Sequence, residues 1–335
     1  MISGRQAAED APVMVVLRGL GLGGLLAAVP ALRALRRAHP GHRIVLAASA
    51  SLADLVPLIG AVDELLDVPG PGPLRLGSPP DLAVNLYGRG PWSIGALRRT
   101  DPGLLLTHAH PGFPDVRGPS WRGDAHVVRR WCELLGWHGI AADPVDLGLK
   151  APPAWGVAPT AALRGTAGPD LSSERSAPVV VHPGAAAPAR RWPPERFALL
   201  AVALRQAGHE VVITGSAGER ALAERVASLA CLPEASVLAG RTGLGELAAL
   251  VARARLVVCG DTGVARLATA FATPSVVLFG PVSPALWGPS HGPHVALWAG
   301  RSGDPRGNLP DEGLLEIGVR EVLGAVVDLL EVDVR

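Results

Sequence analysis

Three observations predict an α/β chain of two domains, each built around a parallel sheet. Its 335 residues exceed what one hydrophobic core organises comfortably. Short apolar runs alternate with longer helical segments across tight glycine-bearing turns, the pattern of strand–helix–strand units. That pattern stops in a stretch rich in Pro, Gly, Ala, Ser and Thr, Lys150 to Pro178, and restarts beyond it. The interruption places a linker and hinge between two domains, 1–165 and 166–335.

The first domain opens with Val13-Met14-Val15-Val16-Leu17, an apolar run that reads as a buried parallel strand. A glycine-rich turn, Gly19 to Gly24, leads into a helix over 25–38, which Pro40-Gly41 stops. A strand over 43–48 completes a βαβ unit. A helix over 51–59, short strands over 64–68 and 82–86, and a helix over 125–135 follow, with a Pro/Gly-rich surface loop over 69–80. Beyond the linker, Val179-Val180-Val181 starts the second series. Helices over 195–207, 219–229, 244–254 and 263–271 alternate with strands over 210–214, 256–259 and 275–279. The last apolar helix, over 314–330, is expected to pack back on the first domain.

Composition narrows the function. Hydrophobic residues make up 48% and charged residues 18%, enough for a sizeable core and too apolar for a disordered chain. A formal net charge of +1 argues against a nucleic-acid binder. Lys150 is the only lysine among 31 basic residues. A GC-rich coding sequence explains that bias globally, while each guanidinium still suits bidentate phosphate contacts. Cys132, Cys231 and Cys259 are odd in number and far apart, so neither disulfides nor a metal site is expected and a reducing cytoplasm fits. Met1 to Pro12 has no basic stretch before an apolar run, and no run reaches the ~18 apolar residues of a membrane span. The expectation is a soluble cytoplasmic protein.

Strand ends that open into glycine turns and helix N-termini suit phosphate, because unpaired N–H groups and the helix dipole favour anions. The second domain has two. Val181-His182-Pro183-Gly184-Ala185 is followed by Arg190-Arg191-Trp192-Pro193, and Val258-Cys259-Gly260-Asp261-Thr262-Gly263 opens a helix. Each alone is compatible with an ordinary strand-to-helix turn. Together, with Arg190 or Arg191 supplying charge, they point to a diphosphate.

His182-Pro183-Gly184 with Arg190-Arg191-Trp192-Pro193-Pro194-Glu195-Arg196-Phe197 resembles the donor domain of glycosyltransferase family 9, the ADP-heptose:lipopolysaccharide heptosyltransferases. Thr214-Gly215-Ser216-Ala217-Gly218-Glu219, Asp261-Thr262-Gly263, Leu278-Phe279-Gly280-Pro281 and Trp287-Gly288-Pro289 are similar to the same family in the same order. So is the opening Leu17-Arg18-Gly19-Leu20-Gly21-Leu22-Gly23, with Pro30-Ala31-Leu32-Arg33-Ala34-Leu35-Arg36 on its helix. The resemblance implies a GT-B fold, in which two Rossmann-like domains face each other across a cleft, acceptor on the first and donor on the second. It implies an inverting transfer of a heptose-like sugar from a nucleoside-diphosphate sugar, an ADP-sugar by preference, with no metal and no further cofactor. The acceptor would be a glycan or glycolipid, reached by a monomer that can sit at the inner face of the plasma membrane. Residue by residue, Arg190 falls where the family has a lysine on donor phosphate. Thr262 and Gly263 would offer N–H groups to the diphosphate, Asp261 would face the sugar hydroxyls and Glu219 the ribose, with His182 and Gly184 in the donor loop.

Two positions depart from the family. The aspartate that follows its glycine turn, the usual base for the acceptor hydroxyl, is Gly24 here. Arg266 stands where a histidine is common, and it cannot act as a base near neutral pH. Replacement bases would come from in or beside the irregular stretch Thr107 to Ala125: Asp124 and His110 foremost, then His108, Asp115 and His126. Each also reads as a solvated loop residue, and Asp124 as a helix N-cap. Two readings stay open, an active transferase and an impaired member that binds a nucleotide or nucleotide-sugar as a binding module. A dinucleotide oxidoreductase, suggested by Gly19-x-Gly21-x-x-Gly24, lacks the acidic residue that should end the next strand, Leu46-Ala47-Ala48-Ser49.

Overall fold

The structure, a computed structural model, describes residues 11–332 except 20, 69, 71 and 154–176. Two compact units result, Met1–Lys150 and Ala151–Arg335. The expected hinge and the expected 165/166 boundary fall largely on 154–176, outside the described residues.

In the first unit, strands β1 (Val13–Leu17), β2 (Arg43–Ala48), β3 (Glu64–Asp67), β4 (Leu82–Asn85) and β5 (Leu104–Leu106) form one sheet in the order β3-β2-β1-β4-β5. Every pairing is parallel. The order reverses between β1 and β4, so the loops leaving those strands diverge and open a crevice at the carboxyl edge. The helix expected over 25–38 is two, α1 (Leu22–Ala27) and α2 (Val29–Ala38), joined at Ala28 with Pro30 in the first turn of the second. The segment 51–59 is a 3₁₀ turn, Ala50–Leu55, running into a short α3 (Val56–Ile59). Helices α4 (Trp92–Arg98) and α5 (Val127–Trp137) complete the unit.

The second unit carries β6 (Val179–His182), β7 (Val211–Ile213), β8 (Leu256–Gly260), β9 (Ser275–Phe279) and β10 (His294–Trp298) in the order β10-β9-β8-β6-β7. These pairings are parallel too, and the reversal lies between β6 and β8. Strands β6, β8 and β9 are buried at every residue, as a sheet covered on both faces requires. The helices are α6 (Pro194–Gln206), α7 (Arg220–Leu229), α8 (Leu244–Arg253), α9 (Gly263–Ala270), α10 (Pro284–Trp287), α11 (Glu312–Glu316) and α12 (Val319–Val332).

The core of this unit joins Val179, Val181, Phe197, Val258 and Leu278 to Trp192, whose ring meets Phe197 edge-on at 5.0 Å. The final helix expected over 314–330 is interrupted. Trp192 Nε1 and Arg196 Nη1 donate to the Ile317 carbonyl, at 3.0 and 2.8 Å, which takes that carbonyl as an acceptor where α11 gives way to α12. Helix α12 packs on α6, β9 and β10 and buries Val322, Ala325, Val326 and Leu330 in this unit's own core.

Candidate donor site

The reversal between β6 and β8 brings together the two loops singled out in the sequence. Main-chain pairing sets His182 beside Cys259 at the ends of the strands. A Cβ on Gly260 would stand 2.9 Å from the Arg190 carbonyl, so a glycine lets the two loops touch. Helix α9 begins just beyond, with Thr262 as its N-cap and Thr262 Oγ1 accepting the Val264 N–H at 3.3 Å. The N-terminus of that helix, with its dipole, lies at the carboxyl edge where ligands of open parallel sheets bind.

Charge is organised around Asp261, whose side chain is 12% exposed. Arg190 Nη1 donates to Asp261 Oδ2 at 3.2 Å. Burial pushes the Asp261 carboxyl above the usual range, against the pull of Arg190 and Arg266. Burial also brings the Arg266 guanidinium down to about 10, with Asp261 opposing the shift, so Arg266 stays charged at neutral pH. Arg266 is fixed in place: Nη2 donates to the Trp287 carbonyl at 2.6 Å and its Cζ lies 4.9 Å from the Trp287 ring centroid. The neighbouring arginine has another task. Arg191 donates through Nε and Nη2 to the Ala185 carbonyl at 3.0 and 2.8 Å, bracing the loop after β6.

Glu219 sits on the other flank. Its Oε2 accepts from the Ser216 N–H and from Ser216 Oγ, each at 2.8 Å, a capping box that locks the carboxylate. The rest of the carboxylate lies against Gly184, where any Cβ would overlap it. His182 is buried and shares a hydrogen bond with Thr214 Oγ1 at 3.0 Å through Nδ1. Burial pushes its imidazole below the ordinary value, while nearby Glu219 pulls the other way. His182, Gly184, Arg190, Glu219, Asp261, Thr262 and Gly263 thus share one carboxyl edge of one sheet. The His182–Thr214 hydrogen bond and the Arg266–Trp287 clamp are contacts that no spacing in the sequence announced.

The base candidates of the first unit do not gather. Gly24 is buried in α1, and its carbonyl accepts from Arg18 Nε at 2.8 Å. Asp124 is 78% exposed beside Arg122, and the cap of α5 is His126, whose Nδ1 accepts the Val128 N–H at 3.4 Å. The expectation of Asp124 as N-cap is therefore corrected, since α5 starts two residues further on. His110 Nδ1 accepts the Gly112 N–H at 3.0 Å, and Asp115 pairs with Arg98. His108 is buried beneath Trp121 and Trp131. Its imidazole is brought down to about 4 by burial, with Arg130 and His138 adding to the shift. Burial pushes the Cys132 and Cys259 thiols up to about 12, so neither offers a thiolate. Among the described residues no three of His, Cys, Asp and Glu come together as a metal site, and no helix is long and apolar enough to cross a membrane.

Two doubly wound parallel units with a phosphate-type edge on the second define a protein of the GT-B fold class. Solved structures agree on the fold. A glycosyl transferase family 9 protein from Veillonella parvula superposes with a TM-score of 0.77 at 21% identity, over 96% of this chain and 97% of that one. The E. coli ADP-heptose lps heptosyltransferase II gives 0.74 at 21% identity, over 96% and 99%. Among curated relatives, lipooligosaccharide heptosyltransferase 2 of Haemophilus influenzae is 37% identical over 102 residues, 29% of each chain, so the alignment spans under a third of that relative. Residues 116–307 match the family described as Glycosyltransferase family 9 (heptosyltransferase). The chain belongs to glycosyltransferase family 9.

Proposed function

We propose that the protein is an inverting glycosyltransferase that takes a heptose-like sugar from a nucleoside-diphosphate sugar, an ADP-sugar by preference, and delivers it to a glycan or glycolipid. The observation that carries this reading is the convergence at the β6/β8 edge of the capped N-terminus of α9, Arg190 and the anchored Glu219 carboxylate. A diphosphate laid on the Thr262 and Gly263 N–H groups would be neutralised by the helix dipole and by Arg190 and Arg266. Those groups stabilise the leaving nucleoside diphosphate as the bond to the anomeric carbon breaks, without reorganising at that moment. No metal is needed for that neutralisation. Glu219 would receive the ribose hydroxyls, and the similarity to the E. coli ADP-heptose lps heptosyltransferase II supports adenosine as the nucleoside. The protein would work as a cytoplasmic monomer, peripheral to the membrane when its acceptor is lipid-linked.

A second reading is favoured by Gly24. The position is buried, its carbonyl is held by Arg18, and His110, Asp115 and Asp124 are each engaged elsewhere. A chain without a proton acceptor would bind the donor as a binding module, because a lost general base costs about 10²–10⁴ in rate while donor positioning survives. ADP release from ADP-heptose, followed with and without a glycolipid extract, tests both. Release that depends on the extract and disappears in Arg190→Ala supports the transferase. Donor binding without release, converted to release by Gly24→Asp, supports the binding module. No binding and no release would overturn both.

A further inference from the structure

The donor reading, on which the role inferred for Asp261 rests, gives Arg190 to phosphate and Asp261 to sugar. In the structure those two side chains hold each other, Arg190 Nη1 to Asp261 Oδ2 at 3.2 Å. A diphosphate arriving at the N-terminus of α9 therefore meets a cation already paired and a carboxylate of its own sign. We propose that Asp261 competes with the donor's diphosphate for Arg190 and so acts as a selector, favouring the intact nucleotide-sugar over the free nucleoside diphosphate.

The selection arises from what Asp261 faces in each complex. With a nucleotide-sugar, sugar hydroxyls donate to the carboxylate as Arg190 turns to phosphate, so both groups keep partners. With the free diphosphate no hydroxyl arrives, and a largely buried carboxylate is left against phosphate oxygens, an unpaired like-charge contact. After transfer, Asp261 reclaims Arg190 and the product is pushed out. Asp261 is then a substrate contact that weakens product binding, the opposite of what a simple contact residue does.

The test is calorimetric titration of the full chain with ADP and with ADP-heptose, in wild type, Asp261→Asn, Asp261→Ser, Arg190→Gln and the double variant Arg190→Gln/Asp261→Asn, each checked by circular dichroism. The expected result is that both Asp261 variants bind ADP about tenfold more tightly, the scale of removing one like charge. ADP-heptose should gain less, so the preference for the sugar nucleotide shrinks. The tightening should be smaller in Arg190→Gln/Asp261→Asn than in Asp261→Asn alone, because the contested cation is gone. Unchanged or weaker ADP binding in folded Asp261 variants, with wild type still binding, would overturn the selector and leave the donor site standing. A wild type that binds neither ligand would overturn the donor site itself and the selector with it.

Discussion

Glu219 shows what one residue can and cannot reveal in a sequence. Its place four residues after Gly215 reads equally as a helix-start acid or a ribose ligand; the structure shows the first, and the second is part of the proposal. One oxygen caps the turn and the carboxylate lies on Gly184. Gly184→Ala should therefore displace the carboxylate and weaken nucleoside-diphosphate binding about tenfold to hundredfold, the worth of a charged hydrogen bond. Titration with ADP checks it, and unaltered affinity would show that Glu219 lies outside the ligand's reach. The Arg190-Arg191 pair was legible as charge but not as two roles, because only the loop's fold sends one side chain to Asp261 and the other to the Ala185 carbonyl. Arg266 and Trp287 meet through tertiary packing alone. His108 carries a pH dependence. It is neutral in the folded chain down to about 4 but takes a proton near its ordinary 6.5 once unfolded, so stability is complete above that value and is lost as pH falls through the interval. The melting temperature should drop between about pH 7 and about pH 5, and less steeply in His108→Gln. Equal slopes would remove His108 as a source.

At the scale of elements, the N-terminus of α9 is the feature the site depends on. Thr262→Ala removes its cap, which should cost about 1 kcal/mol and weaken ADP binding as the first turn frays; Thr262→Ser should restore both. Thermal unfolding and titration read the two effects separately. Trp192 links α6 to the α11–α12 break through its Nε1 bond to Ile317. Trp192→Phe should lose about 1 kcal/mol for that hydrogen bond, whereas Trp192→Ala should lose about 3–5 kcal/mol by opening a cavity in the core. Elements with full apolar runs, β1, β6, β8 and β9, were legible because burial on both faces leaves one composition. Those that escaped are edge strands: β5 is three residues with Leu104 exposed, and β10 is only half-buried. Helix α4 escaped because its glycine and short length blur the helical period. The break before α12 depends on side chains more than a hundred residues away.

At the scale of the molecule, the sequence's restart after Pro178 announced two parallel domains, and each unit has its own sheet and its own buried cluster. The second unit, where nucleotide is proposed to bind, should gain stability from it, about 2.7 kcal/mol at a hundredfold excess over Kd, while a separate transition of the first unit stays where it is. Differential scanning calorimetry with and without ADP resolves this, and equal shifts of both transitions would contradict an independent donor unit. A base was not legible, since Gly24 stands where the family's aspartate would have announced it. Every functional role assigned to the second unit depends on the β6/β8 edge holding a nucleoside diphosphate. Calorimetric titration of wild type and Arg190→Ala with ADP, GDP, UDP and NADP tests that directly. Saturable binding of one nucleoside diphosphate, ADP first, that weakens sharply in Arg190→Ala is the expected result; binding of NADP alone, or of none of the four, would contradict it.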